Sequence, residues 1–197
     1  MNGIYGKAAT GLSGNTSWAV SEGAASIGAR GEKQTEDILN RFGAKAAVIH
    51  DLKVPIPGSR ANIDHIIVSG KRVLILDTKV WLPGFYWTLA GRNRRGFTRI
   101  PHTEKPQHYI TDSLRRYLDG TGAKVGEPYL VVWPSNKSGG VNLWMLRVPG
   151  AGTISGPSLA GTVRSFITRK PADPVIVNKL KALCTTGGGV DGDPFAE

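Results

Sequence analysis

The residues best suited to chemistry lie in two neighbouring apolar segments in the middle of the chain. The first segment, 62–68, carries Asp64, and the second, 73–80, carries Asp77 and Lys79. Very few residues separate the two segments, so we expect them to pair as an antiparallel hairpin. Because alternate residues of a strand share a face, Asp77 and Lys79 should point the same way, within reach of Asp64 on the partner strand.

Two converging carboxylates disfavour each other's ionisation unless a cation lies between them. Carboxylate oxygens without thiolates suit a hard divalent ion, Mg²⁺ or Mn²⁺, better than zinc. Lys79 beside such an ion could orient a water molecule or stabilise negative charge on a phosphate oxygen. The same residues also fit a structural role, in which Asp77 and Lys79 form an ion pair at a strand end and Asp64 is a capping group.

The hydrophobic pattern predicts the elements that must position these residues. Predicted helices cover 29–42, 104–118, 158–167 and 173–183, and predicted strands cover 47–54, 63–69, 73–80, 85–89, 96–100, 129–133 and 142–148. Their order predicts an α/β fold, with one mixed central sheet flanked by helices. The ends are rich in Gly, Ala, Ser and Thr, so we predict a flexible N-terminal arm over 1–25, one domain over 26–184 and a flexible tail over 185–197.

Composition narrows the class of protein. The chain has 197 residues, enough for one domain with a core, and its 40% hydrophobic content is too high for a disordered chain. It has neither the long apolar run of a membrane-spanning helix nor an N-terminal secretory signal. The single cysteine, Cys184, excludes an internal disulfide and a cysteine-rich zinc site. We therefore expect a cytoplasmic protein with no membrane partner.

The net charge of +10 is concentrated in the stretch 91–116. This stretch contains only two acidic residues, Glu104 and Asp112, and seven basic residues: Arg92, Arg94, Arg95, Arg99, Lys105, Arg115 and Arg116. Arginine binds phosphates in a bidentate way, and the nearby aromatic side chains of Tyr86, Trp87 and Phe97 could stack on bases. This pattern predicts a nucleic-acid-binding region around a basic loop, although a solvated charged loop has the same composition.

Five short segments, taken in order, resemble the nuclease-related domain, NERD, a branch of the PD-(D/E)xK nuclease superfamily. They are Gly28-Ala29-Arg30-Gly31-Glu32, Ala61-Asn62-Ile63-Asp64-His65, Leu76-Asp77-Thr78-Lys79-Val80-Trp81, Lys105-Pro106-Gln107 and Val131-Val132-Trp133-Pro134-Ser135-Asn136. The resemblance is clearest over 27–136 and does not extend past Gly140. It implies a restriction-endonuclease-like core and metal-dependent cleavage of nucleic acid.

The resemblance also implies roles for individual residues. Asp64 and Asp77 would be the metal-binding carboxylates, with the backbone carbonyl of Thr78 as a further ligand. Lys79 would be the catalytic lysine. The family often has Glu where this chain has Asp77, and the superfamily pattern admits either residue.

Two further residues would join the site. Glu32 would be an additional acid that binds the metal through water or positions the nucleophile, although it also fits a first-turn acid that favours its helix. Gln107 would hold the catalytic lysine or the substrate backbone. His65 should point away from Asp64, as a core histidine rather than a ligand.

Together these observations predict a metal-dependent DNA endonuclease or nickase that uses Mg²⁺ or Mn²⁺. The alternative is a catalytically weak or inactive nucleic-acid-binding module of a mobile-element or defence system. The sequence leaves open whether RNA replaces DNA, which strandedness is preferred, and whether the chain forms a homo-oligomer.

Overall fold

The computed structural model describes residues 1–8, 22–59, 61–106, 108–136 and 139–185. Its helices are α1 (Glu22–Asn40), α2 (His108–Tyr117), α3 (Leu159–Phe166) and α4 (Pro174–Lys181). Its strands are β1 (Gly3–Tyr5), β2 (Ala47–Lys53), β3 (Asn62–Ser69), β4 (Arg72–Trp81), β5 (Gly84–Leu89), β6 (Arg92–Arg95), β7 (Thr98–Arg99), β8 (Lys124–Val125), β9 (Tyr129–Pro134), β10 (Val141–Met145) and β11 (Gly152–Ser155). Within these ranges, none of the helices combines the length and apolar character needed to cross a membrane.

The main sheet is mixed, as predicted. Its strand order is β1-β2-β3-β4-β9-β11, and β8 pairs with the first residues of β4. Strands β2, β3 and β4 run antiparallel to their neighbours in that group, whereas β1, β9 and β11 pair in parallel. The predicted α/β class with a mixed sheet flanked by helices is therefore confirmed.

Hydrophobic cores cover both faces of the main sheet. On one face, α1 and α3 bury residues that include Leu39, Val48, Ile67, Leu76, Val131 and Leu159. On the other face, α2 and α4 bury residues that include Ile49, Ile66, Ile75, Leu114, Ile176 and Leu180. Each fully buried aliphatic side chain contributes about 1.5–3 kcal/mol relative to exposure, so the two helical layers hold the central strands firmly.

The hairpin of β3 and β4 forms as predicted. Its paired residues run from Ser69 opposite Arg72 to His65 opposite Leu76. Gly70 in the turn has φ 57°, a left-handed conformation that glycine adopts without steric penalty. The paired ladder stops one step before Asp64, so the strand ends that carry the acidic residues extend beyond it.

A second, smaller sheet has the order β10-β5-β6-β7. The predicted basic loop was wrong here, because Arg92, Arg94 and Arg95 lie in β6 and pair directly with β5. The chain reverses earlier, at Ala90 and Gly91, whose φ angles of 49° and 71° are typical of a two-residue type I′ turn. Alanine rarely adopts this conformation, so the residue types at 90 and 91 do not indicate the turn clearly.

The small sheet packs against β9 of the main sheet. Buried Tyr86 of β5 and Leu143 of β10 form a third core with Leu130 and Val132. Val131, between those two β9 residues, belongs instead to the core beneath α1 and α3. The small sheet therefore covers the face of β9 opposite to α1.

Other boundaries differ from the prediction. Gly3–Tyr5 is an edge strand rather than part of a flexible arm, because its backbone pairs with residues 47–49 of β2. The predicted helix 104–118 is shorter than expected: α2 covers His108–Tyr117, and Glu104 belongs to a preceding 3-10 turn, Pro101–Glu104. Pro106 explains the break, because proline lacks a backbone N–H and disfavours helix at the preceding residue. Residues 9–21 of the predicted arm and 186–197 of the predicted tail lie outside the described residues.

Candidate active site at the end of the central hairpin

Asp64 and Asp77 lie where the β3–β4 ladder ends. Continuing the register by one pair from His65 and Leu76 would set the two carboxylates opposite each other. The Asp64 carboxylate accepts a hydrogen bond at 2.6 Å from the backbone N–H of Thr78. Asp64 is thus held against β4, beside the residue that follows Asp77.

Lys79 contacts Asp77 directly. Its Nζ lies 2.7 Å from Asp77 Oδ2 and 2.9 Å from Oδ1. The Asp77 side chain is 19% exposed and that of Lys79 is 45% exposed. The two side chains therefore share one face, as the alternation of strand residues predicted.

Glu32 interacts electrostatically with Asp64 and Lys79. Burial raises the pKa of Asp64 well above its ordinary value, and the negative charges of Asp77 and Glu32 raise it further. Burial would lower the pKa of Lys79, but the carboxylates of Asp77, Asp64 and Glu32 outweigh this effect and raise it. The expected effect of a neighbouring carboxylate is therefore present at Asp64, and Lys79 carries the compensating positive charge.

Helix α1 brings Glu32 to the site by packing closely on β4. A Cβ atom added to Gly31 would lie 2.4 Å from Val80 Cγ2, so no larger residue fits without a shift. One turn later, Thr35 Oγ1 accepts a hydrogen bond at 3.1 Å from Thr78 Oγ1. These contacts hold the helix segment that carries Glu32 against the Thr78 and Val80 face of β4, opposite to Asp77 and Lys79, and Glu32 is linked to the site by its charge.

The backbone of Thr78 also faces the acidic pair. Its N–H donates to Asp64, and in an extended strand the N–H and C=O of one residue point to the same side. The Thr78 carbonyl oxygen is therefore directed to the Asp64 side of β4. This orientation is the one that a role as a metal ligand requires.

The donor types fit a hard divalent ion. Three carboxylates and a backbone carbonyl offer only oxygen atoms, which Mg²⁺ and Mn²⁺ prefer. However, no group of three His, Cys, Asp or Glu side chains in the described ranges is arranged to hold a metal ion. The chemistry of the residues fits a metal, whereas their arrangement is that of a lysine-compensated acidic pair and not of a closed coordination shell.

One face of β4 shows where the site sits in the molecule. Val73 and Ile75 on this face belong to the core beneath α2 and α4. Asp77 and Lys79 follow on the same face, and Trp81 comes next, with its ring centroid 5.1 Å from that of Tyr86. The site therefore lies between the helical layer and the small sheet, so both can contact a bound substrate.

Trp81 borders the site and His102 packs on Trp81, and neither was among the predicted site residues. Their ring centroids lie 6.5 Å apart, in an edge-to-face arrangement. The alternation that links Asp77 to Lys79 also reaches Trp81, and this signal could have found it. His102 lies in a 3-10 turn whose position depends on the small sheet, so the sequence carried no comparable signal.

A comparison with protein-family models agrees with this geometry. The model of the nuclease-related domain matches residues 27–131, which is more than half of the chain. The chain belongs to the nuclease-related domain family. The NERD match spans Glu32, Asp64, Asp77 and Lys79 and ends within β9. No curated protein and no solved structure matches the chain.

The arginines of residues 91–116 in this NERD chain lie in two different parts of the fold. Arg92, Arg94 and Arg95 are on β6 and Arg99 is on β7, all in the small sheet. Arg115 and Arg116 are on α2, beside the main sheet. The predicted single basic region is therefore divided by the fold.

Several of these arginines already contact protein groups, and the Arg94 guanidinium donates to the Phe97 carbonyl at 2.9 Å. The Arg99 guanidinium contacts Glu104 through two hydrogen bonds, of 2.8 and 3.2 Å. That of Arg115 donates to the Val125 carbonyl at 3.1 Å and lies 3.3 Å from Glu127. Lys105 follows the 3-10 turn and is exposed. Gln107 lies outside the described residues, and its role stays a prediction.

His65 is a fully buried core histidine, as predicted. Its Nδ1 lies 2.8 Å from Nδ1 of His50, whose Nε2 lies 3.0 Å from Asn40 Oδ1. Burial lowers the pKa of His50 to about 4 and lowers that of His65 well below its ordinary value. Both imidazoles are therefore neutral in the folded NERD domain near neutral pH.

Proposed function

We propose that this protein is a metal-dependent nuclease that cleaves DNA as an endonuclease or nickase. The observation that carries this proposal is the grouping of Asp64, Asp77 and Lys79 at the end of the central hairpin, with Glu32 in the same electrostatic environment. Membership of the nuclease-related domain family supports a nuclease-related function. The oxygen donors support Mg²⁺ or Mn²⁺ as the cofactor.

Asp64, Asp77 and the Thr78 carbonyl would hold the ion, and Glu32 would act through water. When bound, such an ion polarises a phosphate oxygen and lowers the pKa of water. The raised pKa of Lys79 keeps its ammonium protonated at neutral pH. Lys79 would donate hydrogen bonds to the phosphate and stabilise its growing negative charge.

Substrate would enter between the helical layer and the small sheet. The arginines of β6 and β7 place positive charge on the small sheet that borders this opening, which suits a polyanion. Trp81 borders the opening on the small-sheet side. DNA is thus the proposed partner, and an RNA arm in the same assay compares the two nucleic acids.

The test is cleavage of supercoiled plasmid with Mg²⁺ or Mn²⁺, with EDTA as the metal-free control. We expect nicked or linear product from the parent and background levels from Asp77→Ala and Lys79→Ala. Asp119→Ala is the matched control, because Asp119 is exposed in the turn after α2. Equal cleavage by the parent and both site variants would contradict the proposal, since a contaminating nuclease would then explain the product.

A second candidate function is nucleic-acid binding without cleavage. It is favoured by the contact of Lys79 with Asp77 and by the lack, in the described part of the chain, of three metal-binding side chains grouped around one point. In that case the parent would bind DNA in a salt-sensitive way, yet no divalent metal would produce cleavage.

A further inference from the structure

The outer face of the small sheet is exposed and aromatic. Tyr86 points inward and is 3% exposed, so it cannot stack on a base, contrary to its predicted role. Its neighbours on β5 alternate with it, and Phe85 and Trp87 therefore point away from the main sheet. Phe85 is 38% exposed, and Leu89 on the same face is 61% exposed.

Arginines share this outer face. In the β5–β6 pair, Arg94 lies opposite Trp87 and Arg92 lies opposite Leu89. The guanidinium carbon of Arg94 lies 6.0 Å from the centroid of a Trp87 ring, within the range of a cation–π contact. Arg95 lies opposite Tyr86 and so belongs to the inner face.

The strands that form this surface carry no acidic side chain of their own. The four strands of the small sheet contain no Asp or Glu, and the chain from Thr78 to Thr103 has none either. The first acid after them, Glu104, binds Arg99. Glu104 also interacts electrostatically with Arg92, so the outer face combines the rings of exposed Phe85 and half-buried Trp87 with a partly compensated positive charge. Its electrostatic complement is a polyanion with flat apolar groups.

We propose that this face binds a single-stranded polynucleotide, with bases stacked on Phe85 and Trp87 and phosphates held by Arg92 and Arg94. The two rings are two residues apart on one strand, about 6.6 Å, so each can take one base of an extended strand. A duplex hides the faces of its bases, whereas a single strand offers them for stacking. The inference rests on the proposed function in making nucleic acid the substrate.

The position of the small sheet links this face to the candidate site. Its inner residue Tyr86 packs on Trp81, which is two residues from Lys79 on the same face of β4. A single strand held on the outer face would pass around the edge of the small sheet to reach the Asp77–Lys79 pair on the inner side. The face would deliver unpaired segments to the site.

The test measures binding by fluorescence anisotropy in EDTA, where no cleavage occurs, with labelled oligothymidylate, oligouridylate and a blunt DNA duplex. We expect the parent to bind single strands more tightly than the duplex. Trp87→Leu and Phe85→Leu should each weaken single-strand binding by roughly 5- to 100-fold, and Trp87→Phe should retain most of it. Comparing oligothymidylate with oligouridylate identifies which single strand the face prefers.

Arg94→Ala provides an independent readout. It should reduce the slope of log affinity against log salt by about 0.7 for a single strand. Arg164→Ala is the matched control, because Arg164 is exposed on α3 on the other side of the main sheet, and it should leave the slope unchanged.

Unchanged single-strand affinity in Phe85→Leu and Trp87→Leu would overturn the stacking proposal, as would tighter binding of the duplex. Trp87 Nε1 also donates a hydrogen bond to the Gly96 carbonyl, so the folding of each variant is checked by thermal unfolding. If Trp87→Leu proves to be unfolded, the result for Phe85→Leu tests the proposal. Plasmid cleavage is measured separately. Unchanged single-strand affinity would therefore not contradict the nuclease proposal. Absence of cleavage would not contradict the stacking proposal, which depends only on the binding measurements.

Discussion

At the scale of single residues, Lys79 is the group on which the candidate site depends. Its ammonium lies against Asp77, and its raised pKa reflects three nearby carboxylates. The period of a strand was enough to predict that these two side chains share a face. It could not predict that Asp64 accepts a hydrogen bond from the Thr78 N–H. That contact forms because the paired ladder ends at His65 and Leu76, before it reaches Asp64.

Residue 77 offers a sharp test of side-chain length against charge. Asp77→Glu keeps the carboxylate that the nuclease-related family often has at this position, so we expect it to retain cleavage within about tenfold of the parent. Asp77→Asn keeps the size but loses the charge, and its cleavage should fall to background. Rates of plasmid nicking in Mn²⁺ measure both. Nicking by Asp77→Asn at the rate of the parent would contradict a metal-binding role.

The buried histidine pair predicts how stability depends on pH. In the folded protein the pKa of His50 is about 4, and the pKa of His65 is also lowered. An unfolded histidine has a pKa of about 6.5. Below pH 6.5 the unfolded chain therefore binds protons that the folded chain does not. The free energy of unfolding should fall as pH drops from 6.5 towards 4, by up to about 1.4 kcal/mol per pH unit for each histidine.

Urea unfolding across this pH range measures the effect. Asp64 has a raised pKa and acts in the opposite sense, so the histidine contribution is read from the difference between variants. His50→Gln should flatten the decline by about one proton, whereas exposed His102→Gln should leave it unchanged. Equal slopes for the parent and His50→Gln would show that the pair does not control the dependence.

At the scale of elements, the prediction was best where local pattern and tertiary packing agree. The β3–β4 hairpin is apolar, closed by a tight turn and buried on both faces, and its pattern predicted it. The small sheet was predicted only in part, because its hairpin depends on left-handed Ala90 and its stability on contacts with Leu130 and Val132. Strand β1 has only three residues and forms through pairing with β2, which local pattern does not encode.

The contact between α1 and β4 predicts opposite responses at two glycines of the same helix. Gly31→Leu should destabilise the protein by about 1–3 kcal/mol, because a side chain there meets Val80 and must push the helix away. Gly28→Leu should be neutral or stabilising by up to about 1 kcal/mol, since nothing lies within 4 Å of an added Cβ and leucine favours helix. Denaturant unfolding compares them, and equal effects would contradict the docking of α1 described here.

At the scale of the whole molecule, the fold divides the positive charge that the sequence places in one stretch. Arg92 and Arg94 of β6 lie on the outer face of the small sheet, whereas Arg115 is engaged by Val125 and Glu127 beside β8. Composition alone cannot make this distinction, because residues 91–116 run from the small sheet to α2. The surplus of charge therefore acts locally, on the side of the small sheet.

This division predicts different salt responses for two arginines. Arg92→Ala should weaken DNA binding and reduce the salt slope by about 0.7–0.9, because a phosphate contact is lost. Arg115→Ala should leave both unchanged, since its guanidinium is held by protein groups. Anisotropy titrations over a range of salt concentrations measure the slopes. A larger effect from Arg115→Ala than from Arg92→Ala would place the nucleic acid on α2 instead.

The most direct test of the central claim is the single-turnover rate of DNA cleavage in Mn²⁺ for the parent, Lys79→Met and Lys45→Met. Lys45 is exposed and distant in sequence from the hairpin, so it serves as the matched control. We predict that Lys79→Met binds DNA like the parent but cleaves it at least about 100-fold more slowly, while Lys45→Met cleaves normally. Cleavage by Lys79→Met at the parent's rate would contradict the assignment of the Asp64, Asp77 and Lys79 site as the nuclease centre.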